Sequence, residues 1–534
     1  MSEFEIYIIL LGIIVGVSLL GRNLPVPSPL LLVITGMLLS FIPTFPVVRL
    51  DPKLVFNIFL PLLIYHASTY TSWPDVKLNI RPIALLSVGH VIFITVLVAI
   101  VAHTVIPNLS WPLAFVLGAV VAPPDVVAIF SIAEKVKIPQ RLMTVLAGES
   151  LLNDATALIL FRLAVIAVVS HQLSIVGAFS TFLTIVICET LYGLILGHLI
   201  GQIRLRINDS MSQMLLSILT PFIAYLPAVK LGGSGVLATV VTGLVIGHFY
   251  LDRLMPGARL LWLSVWETIG FIVSSILFLL IGLDLRLILE NIASIPTQQL
   301  IIYSGSITLT VLIGRFIWVY PATYLSDLFT PSAKRKKSVP WQFPFVISWS
   351  GMRGGISLAA ALTIPPLSMQ INNASLRELI IFIVFCVITA TLLVQGLTLP
   401  WILKKIGLDK ISRREDTKDR LDELQAKCAM TKAVLAWLHA YKNSNQEDIH
   451  IFEEIEVQIK EYEALEIRIE GILSEMGRSD ADPFHLRSIT LVLSEVVEIE
   501  RDTISRLWHE GKITMRTRGK LLQQLDLHAK RYIS

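Results

Sequence analysis

Residues 4–20, 28–43, 53–70, 83–106, 111–132, 142–170, 174–202, 211–229, 234–251, 262–285, 297–325, 341–365 and 376–403 form thirteen nearly uninterrupted apolar stretches. Most approach the ~20 residues that an α-helix needs to cross the hydrocarbon core of a bilayer. No water is available there to bond stray N–H and C=O groups, so each crossing segment must satisfy its own backbone, as a helix does. The expected fold class is therefore an all-α polytopic membrane protein with about thirteen transmembrane helices. The composition agrees: 54% of residues are hydrophobic and 16% charged, a balance foreign to soluble domains. Glu3 and Glu5 flank the first stretch, with no basic segment before it and no small-residue cleavage site after it. It reads as a retained span rather than a signal peptide.

Basic residues set the orientation. One set of loops holds Arg22; Lys77 and Arg81; Lys135, Lys137 and Arg141; Arg204 and Arg206; Arg253 and Arg259; and Lys334, Arg335, Lys336 and Lys337. The alternate loops hold only Arg49, Lys53, Lys230 and Arg377. The rich set is expected in the cytoplasm, which puts the N-terminus outside and the C-terminus inside a cell membrane. Such loops account for the net charge of +4 without a nucleic-acid partner. The chain divides into a transmembrane domain, 1–405, and a densely charged cytoplasmic C-terminal domain, 406–534. In the latter, segments 418–441, 449–476 and 483–508 place apolar residues at helical spacing among charges, as packed amphipathic helices do.

Within the sixth stretch, GESLLNDATALILF places Asn153 and Asp154 deep in apolar sequence, with Glu149 and Ser150 one turn earlier. A carboxylate at membrane depth costs roughly 2.5–3.5 kcal/mol on insertion scales and usually marks an ion or proton path. Ser150 and Asp154 share one helix face, and Glu149 and Asn153 share the neighbouring one.

Two other stretches contain breaks. In GAVVAPPDVVAIF, Pro123 and Pro124 have no amide hydrogen, so the carbonyls of Ala119 and Val120 lose their helical partners. Asp125 follows, where a second half-helix would begin and its dipole would favour a carboxylate. A plain proline kink capped by Asp125 fits this string equally well. In WSGMRGGISLAAAL, Gly351, Gly354 and Gly355 permit unwinding or close approach, and Arg353 needs a carboxylate or freed carbonyls near mid-span. Interrupted helices at matching positions of two halves point to an inverted-repeat transporter with its site at the crossing. By position, spans 1–6 and 8–13 would form the repeats. Asp154 with Ser150 is then expected to face the crossing of spans 5 and 12, and Glu149 with Asn153 to meet Arg353 in a buried cluster.

Cys188, Cys386 and Cys428 are far apart and suggest neither a metal set nor a disulfide framework. No HExxH, Gly-x-Ser-x-Gly or paired-aspartate signature is present, so an enzyme is not expected and no cofactor is called for.

The strings GESLLNDATALILF, FLLIGLDL, GRFIWVYPATYL, SWSGMRGGISLAAAL and VQGLTLP, in this order, resemble the cation/proton antiporter-1 family, the bacterial sodium/proton antiporters akin to animal sodium/proton exchangers. The resemblance covers roughly residues 1–405. It implies a homodimer of thirteen-helix inverted-repeat protomers, each with a core domain that moves against a dimerisation domain. It also implies that Asp154 alternately carries a cation and a proton, with Ser150 as a nearby oxygen ligand of the transiently bound sodium and Asn153 as neighbour. Pro124 and Asp125 would contribute from the broken helix, and Glu149 and Arg353 would form the structural ion pair. The chain departs from the family twice. Pro124, Asp125 and Val126 stand where relatives often have Thr-Asp-Pro, which removes a hydroxyl and leaves the backbone carbonyl. His66 stands where relatives often carry an acid, which makes it either a modulator of ion or pH response or a packed histidine.

A carboxylate withdrawn from water favours its protonated form, so a proton and a sodium ion can compete for one such group. The expectation is sodium or lithium exchange for protons, serving pH and sodium homeostasis; Asn153–Asp154 offers a single carboxylate, for which the family resemblance implies one-for-one, electroneutral exchange. A potassium/proton antiporter on the same scaffold remains open, and a cation channel is the more remote reading.

Overall fold

The computed structural model describes residues 3–21, 26–43, 45–46, 48–125, 129–131, 138–170, 175–328, 340–365, 370–371, 374–444, 449–476, 502–504, 506–507 and 521. Val126, the basic loop at 334–337, Arg22, Lys135, Lys137 and most of the tail segment 483–508 lie outside them. The chain falls into two compact units, 1–415 and 416–534.

Among its described residues the first unit is helical, with connecting turns and a two-residue antiparallel pair, Gln370–Ile371 with Ala374–Ser375. Its main helices are α1 (Glu3–Gly21), α2 (Ser28–Ser40), α3 (Leu60–Tyr70), α4 (His90–Val105, the end of the apolar helical run Ile80–Val105), α5 (Trp111–Val121), α6 (Gln140–Ser170), α7 (Ile175–Arg206) and α8 (Ser210–Lys230). There follow α9 (Val236–Phe249), α10 (Pro256–Leu283), α11 (Leu285–Ile292), α12 (Thr297–Leu328), α13 (Gln342–Trp349), α14 (Gly355–Leu362) and α15 (Leu376–Lys405). Among the described residues, seven helices are long and apolar enough to cross a membrane, and four shorter apolar helices accompany them. Many large apolar side chains stay exposed, among them Leu20, Val176, Ile195 and Ile301, as lipid-facing surfaces require.

Two packing neighbourhoods surround the broken helices. In one, α2 packs along α10, α7 along α9, and α9 along α3. In the other, α5 packs between α4 and α6, while α12 lies against α4 and α15. Small residues set the tightest approach: a side chain at Gly36 or Gly282 would collide with the backbone of the opposite helix, the small-residue contact expected where apolar helices associate without help from water.

Both strings read as breaks interrupt their helices. Helix α5 stops at Val121, and the chain runs non-helically through Pro123, Pro124 and Asp125. Helix α13 stops at Trp349, residues 351–354 are non-helical with Gly354 extended, and α14 starts at Gly355. Pro123 and Pro124 explain the first break. The second follows from crowding: a Cβ at Gly351 would strike the Arg315 side chain, and one at Gly354 the Asp125 carboxylate.

In the second unit, α17 (Ile449–Met476) runs antiparallel to the later part of α16 (Leu408–Ser444). Leu435, Leu438 and Ile459 form its small apolar core with Val434, Ile455 and Tyr462. Lys432 pairs with Glu470 at 2.7 Å and Lys442 with Glu456 at 3.3 Å. These pairs lie at the surface, where solvent screens them, so the apolar seam holds the hairpin.

Candidate functional site

The site is built where α5 and α13–α14 are broken and α6 passes them. Each break leaves carbonyls without helical partners, and arginines collect several of them. Arg353 donates through Nε to the Val121 carbonyl at 3.0 Å, through Nη2 to that of Ala122 at 3.3 Å, and through Nη1 to that of Gly351. Arg315, from α12, donates through Nε to the Ile347 carbonyl at 3.0 Å. The C-terminal ends of two half-helices, α5 and α13, thus each meet a guanidinium, the charge their dipoles favour. The reciprocal arrangement holds at α14. Asp125 lies against Gly354, the residue that caps its N-terminus, and the Asp125 amide donates to the Met352 carbonyl at 2.6 Å.

The expected ion pair between Glu149 and Arg353 does not form; Glu149 pairs with Arg315. The Arg315 Nη1 and Nη2 atoms donate to Glu149 Oε1 and Oε2 at 2.8 and 3.0 Å, with both side chains 1% exposed. The physical reason lies in the competing acceptors. All three nitrogens of Arg353 already bond carbonyls freed at the two breaks, whereas Arg315 spends only Nε on a carbonyl and keeps its two-pronged end for the carboxylate. Asn153 likewise turns away from Arg353. Its Nδ2 donates to the Pro124 carbonyl at 2.6 Å, tying α6 to the non-helical segment after α5 and occupying one lone pair of that oxygen.

Asp154 differs from Glu149 in having no ion-pair partner among the described residues. It lines a small cavity bounded by α5, α6 and α14, together with Ala119, Val120, Pro123 and Ser357. Asp125 acts on it as a like charge. The cavity volume of about 10 Å³ is near the lower limit for one water-sized occupant. Ala119 and Val120 are the two residues whose carbonyls the prolines leave without amide partners. Ser150 sits half-buried one turn before Asp154 and is not among the residues lining this cavity.

His66 is elsewhere. Its ring stacks on Trp266 (centroids 6.3 Å apart, planes 11° apart), meets Tyr70 edge-on at 4.8 Å, and packs over Gly270. It does not line the Asp154 cavity.

The structure therefore brings together Asp154, Asn153, Pro124, Asp125, Glu149 and Arg353 around the two breaks. Sequence reasoning missed Arg315 as the partner of Glu149 and Ser357 as a cavity residue. The string GRFIWVYPATYL carried Arg315 into a span, a signal that a carboxylate partner was owed. For Ser357 the signal was its place just after the glycine break.

Comparison with known proteins gives the same outline. The profile of the family described as sodium/hydrogen exchanger, transmembrane, matches residues 6–405. The chain is 32% identical over 449 residues to the Na(+)/H(+) antiporter ApNhaP of Aphanothece halophytica, covering 82% of this chain and 81% of that one. It is 32% identical over 439 residues to a sodium, potassium, lithium and rubidium/H(+) antiporter of Bacillus pumilus, covering 79% and 65%. Among solved structures, the sodium proton antiporter MjNhaP1 of Methanocaldococcus jannaschii at pH 8 superposes with a TM-score of 0.59 and 18% identity, over 77% of this chain and 100% of that one. That likeness concerns the fold.

Proposed function

The chain belongs to the sodium/hydrogen exchanger family, and we propose that its exchange of sodium for protons across a membrane runs through Asp154. One observation carries this reading. Asp154 is the carboxylate that faces a cavity between two broken helices without a cationic partner, while its neighbour Glu149 is fully committed to Arg315.

A dehydrated sodium ion entering the cavity meets a negative charge, and a proton arriving there neutralises it. Both occupants cannot be held at once, so a site exposed to the two sides in turn exchanges one for the other. Arg353 and Arg315 hold the broken ends in place by bonding their carbonyls, and the Asn153 amide fixes the Pro124 segment against α6. Asp125 and the Pro124 carbonyl, which follow the cavity residue Pro123 along the chain, would contribute from the broken helix, and Ser150, one turn before Asp154, would offer a further oxygen. A single exchanging carboxylate supports one-for-one, electroneutral exchange.

Several finer points belong to the same proposal. They are thirteen spans in two inverted repeats, a homodimer in the cell membrane, an outside N-terminus, and a cytoplasmic tail at 406–534 following an antiporter domain at 1–405. Lithium is expected to substitute for sodium. Potassium is the second reading; the Bacillus pumilus relative is named for both ions.

The test is proton flux in vesicles holding the full-length protein, read with a pH-sensitive dye on addition of sodium, lithium or potassium. Sodium- and lithium-driven flux is expected. Flux driven by potassium alone would replace the sodium reading, and uncoupled current would reject an exchanger.

A further inference from the structure

We propose that Ser357 is a further ligand of the transported cation and helps to set which cation the site accepts; this rests on the reading that Asp154 carries the ion. Hard cations take oxygen ligands, and among the residues lining the Asp154 cavity only Asp154 and Ser357 bear a side-chain oxygen. Ser357 is 4% exposed, so its hydroxyl faces protein or the cavity rather than lipid.

That hydroxyl is also uncommitted. The hydroxyls of Ser348 and Ser350, on the other half of the same broken segment, turn back onto the carbonyls of Pro344 and Val346 at 2.7 and 2.5 Å. Ser357 makes no such side-chain bond among the described residues, so its hydroxyl is left available to an occupant of the cavity it lines. A cation between it and the Asp154 carboxylate would engage it. The helix dipole is the obvious objection, because Ser357 lies in the first turn of α14, whose positive end repels cations. Asp125 answers it by placing a carboxylate against Gly354 at that same end. The cavity is thus a place where a hydroxyl from α14, a carboxylate from α6 and the segment of α5 holding the freed carbonyls of Ala119 and Val120 converge. A ligand on α14 joins the two broken helices through the ion, and its reach fixes the size of ion that fits.

The experiment compares full-length wild type, Ser357→Ala, Ser357→Thr, Ser357→Cys and Asp154→Asn in reconstituted vesicles, titrating sodium, lithium and potassium at fixed pH. For Ser357→Ala, losing one oxygen ligand should raise half-saturating sodium about tenfold. The rate at saturating sodium should stay within about twofold, the pattern of lost ion binding rather than lost turnover. The preference among the three ions should change as well. Ser357→Thr, which keeps the hydroxyl, should stay close to wild type. Ser357→Cys keeps the volume but not the hard oxygen and should behave as Ser357→Ala does, which covers the case in which the alanine variant fails to fold. Unchanged sodium half-saturation in Ser357→Ala or Ser357→Cys would overturn the proposal, as would an equal fall in maximal rate for all three ions. Activity in Asp154→Asn would instead reject the underlying reading of Asp154, so the two failures are distinguishable.

Discussion

Glu149 and Asp154 are carboxylates on the same helix, five residues and so about 140° apart, and their surroundings are opposite. Glu149 is 1% exposed and held by two bonds from Arg315, whose remaining nitrogen anchors the end of α13. Asp154 is half-buried, faces a cavity, and has another carboxylate as its electrostatic neighbour. One carboxylate is spent on structure and the other is kept free. A buried ion pair costs desolvation on both sides and is poor at changing partners; a lone carboxylate at a break in two helices can accept whichever small cation reaches it. The comparison teaches that membrane depth alone does not mark a transport residue. What sets Asp154 apart is a missing counter-charge together with a place on a cavity between the breaks; Glu189 and Asp284, also buried and without an ion pair among the described residues, are held by backbone amides instead.

Removing the partner of Glu149 should have the largest effect on stability. Arg315→Ala leaves a buried carboxylate unpaired and should cost about 3–5 kcal/mol, seen as loss of monodisperse protein in detergent or a lower melting temperature. The paired change Glu149→Leu with Arg315→Met should recover most of that loss. If it does not, the pair does more than neutralise charge. Next comes Gly354→Ala, whose methyl group must displace the Asp125 carboxylate. A cost of about 1–3 kcal/mol is expected, along with weakened exchange, measured by thermal denaturation and by dye-based flux. A third prediction concerns competition at Asp154. In the acid limb, half-saturating sodium should rise about tenfold per unit fall in pH if one proton and one ion exclude each other. A slope near zero would separate the proton site from the sodium site. The smallest effect is expected for His66→Gln, which removes a stacked ring from the Trp266 contact but leaves the cavity untouched. Exchange should stay within about twofold of wild type with an unshifted pH profile, and a shift of the profile would restore His66 as a modulator.

Much of this difference was legible in the sequence. The apolar stretches announced a membrane protein because bilayer thickness fixes helix length. Pro123 with Pro124, and Gly351 with Gly354 and Gly355, announced the breaks because missing amide hydrogens and missing side chains act locally. Asp154 stood out by its setting. The identity of Glu149's partner was not legible: Arg315 and Arg353 are both buried in spans, and the choice between them depends on which one the freed carbonyls of Val121, Ala122 and Gly351 absorb. That is decided by packing between segments more than 160 residues apart, and no local pattern encodes it. For the same reason His66, singled out by its departure from a family pattern, lies within an aromatic cluster that only the contact of α3 with α10 creates.

The measurement that tests the central claim most directly is cation-driven proton flux through Asp154→Asn beside wild type, at matched amounts of folded protein in the same vesicles. The account predicts that sodium and lithium drive flux in wild type and none above protein-free vesicles in Asp154→Asn, because the amide can neither bind the proton nor balance the ion. Wild-type exchange through Asp154→Asn would contradict it and move the exchanging group elsewhere.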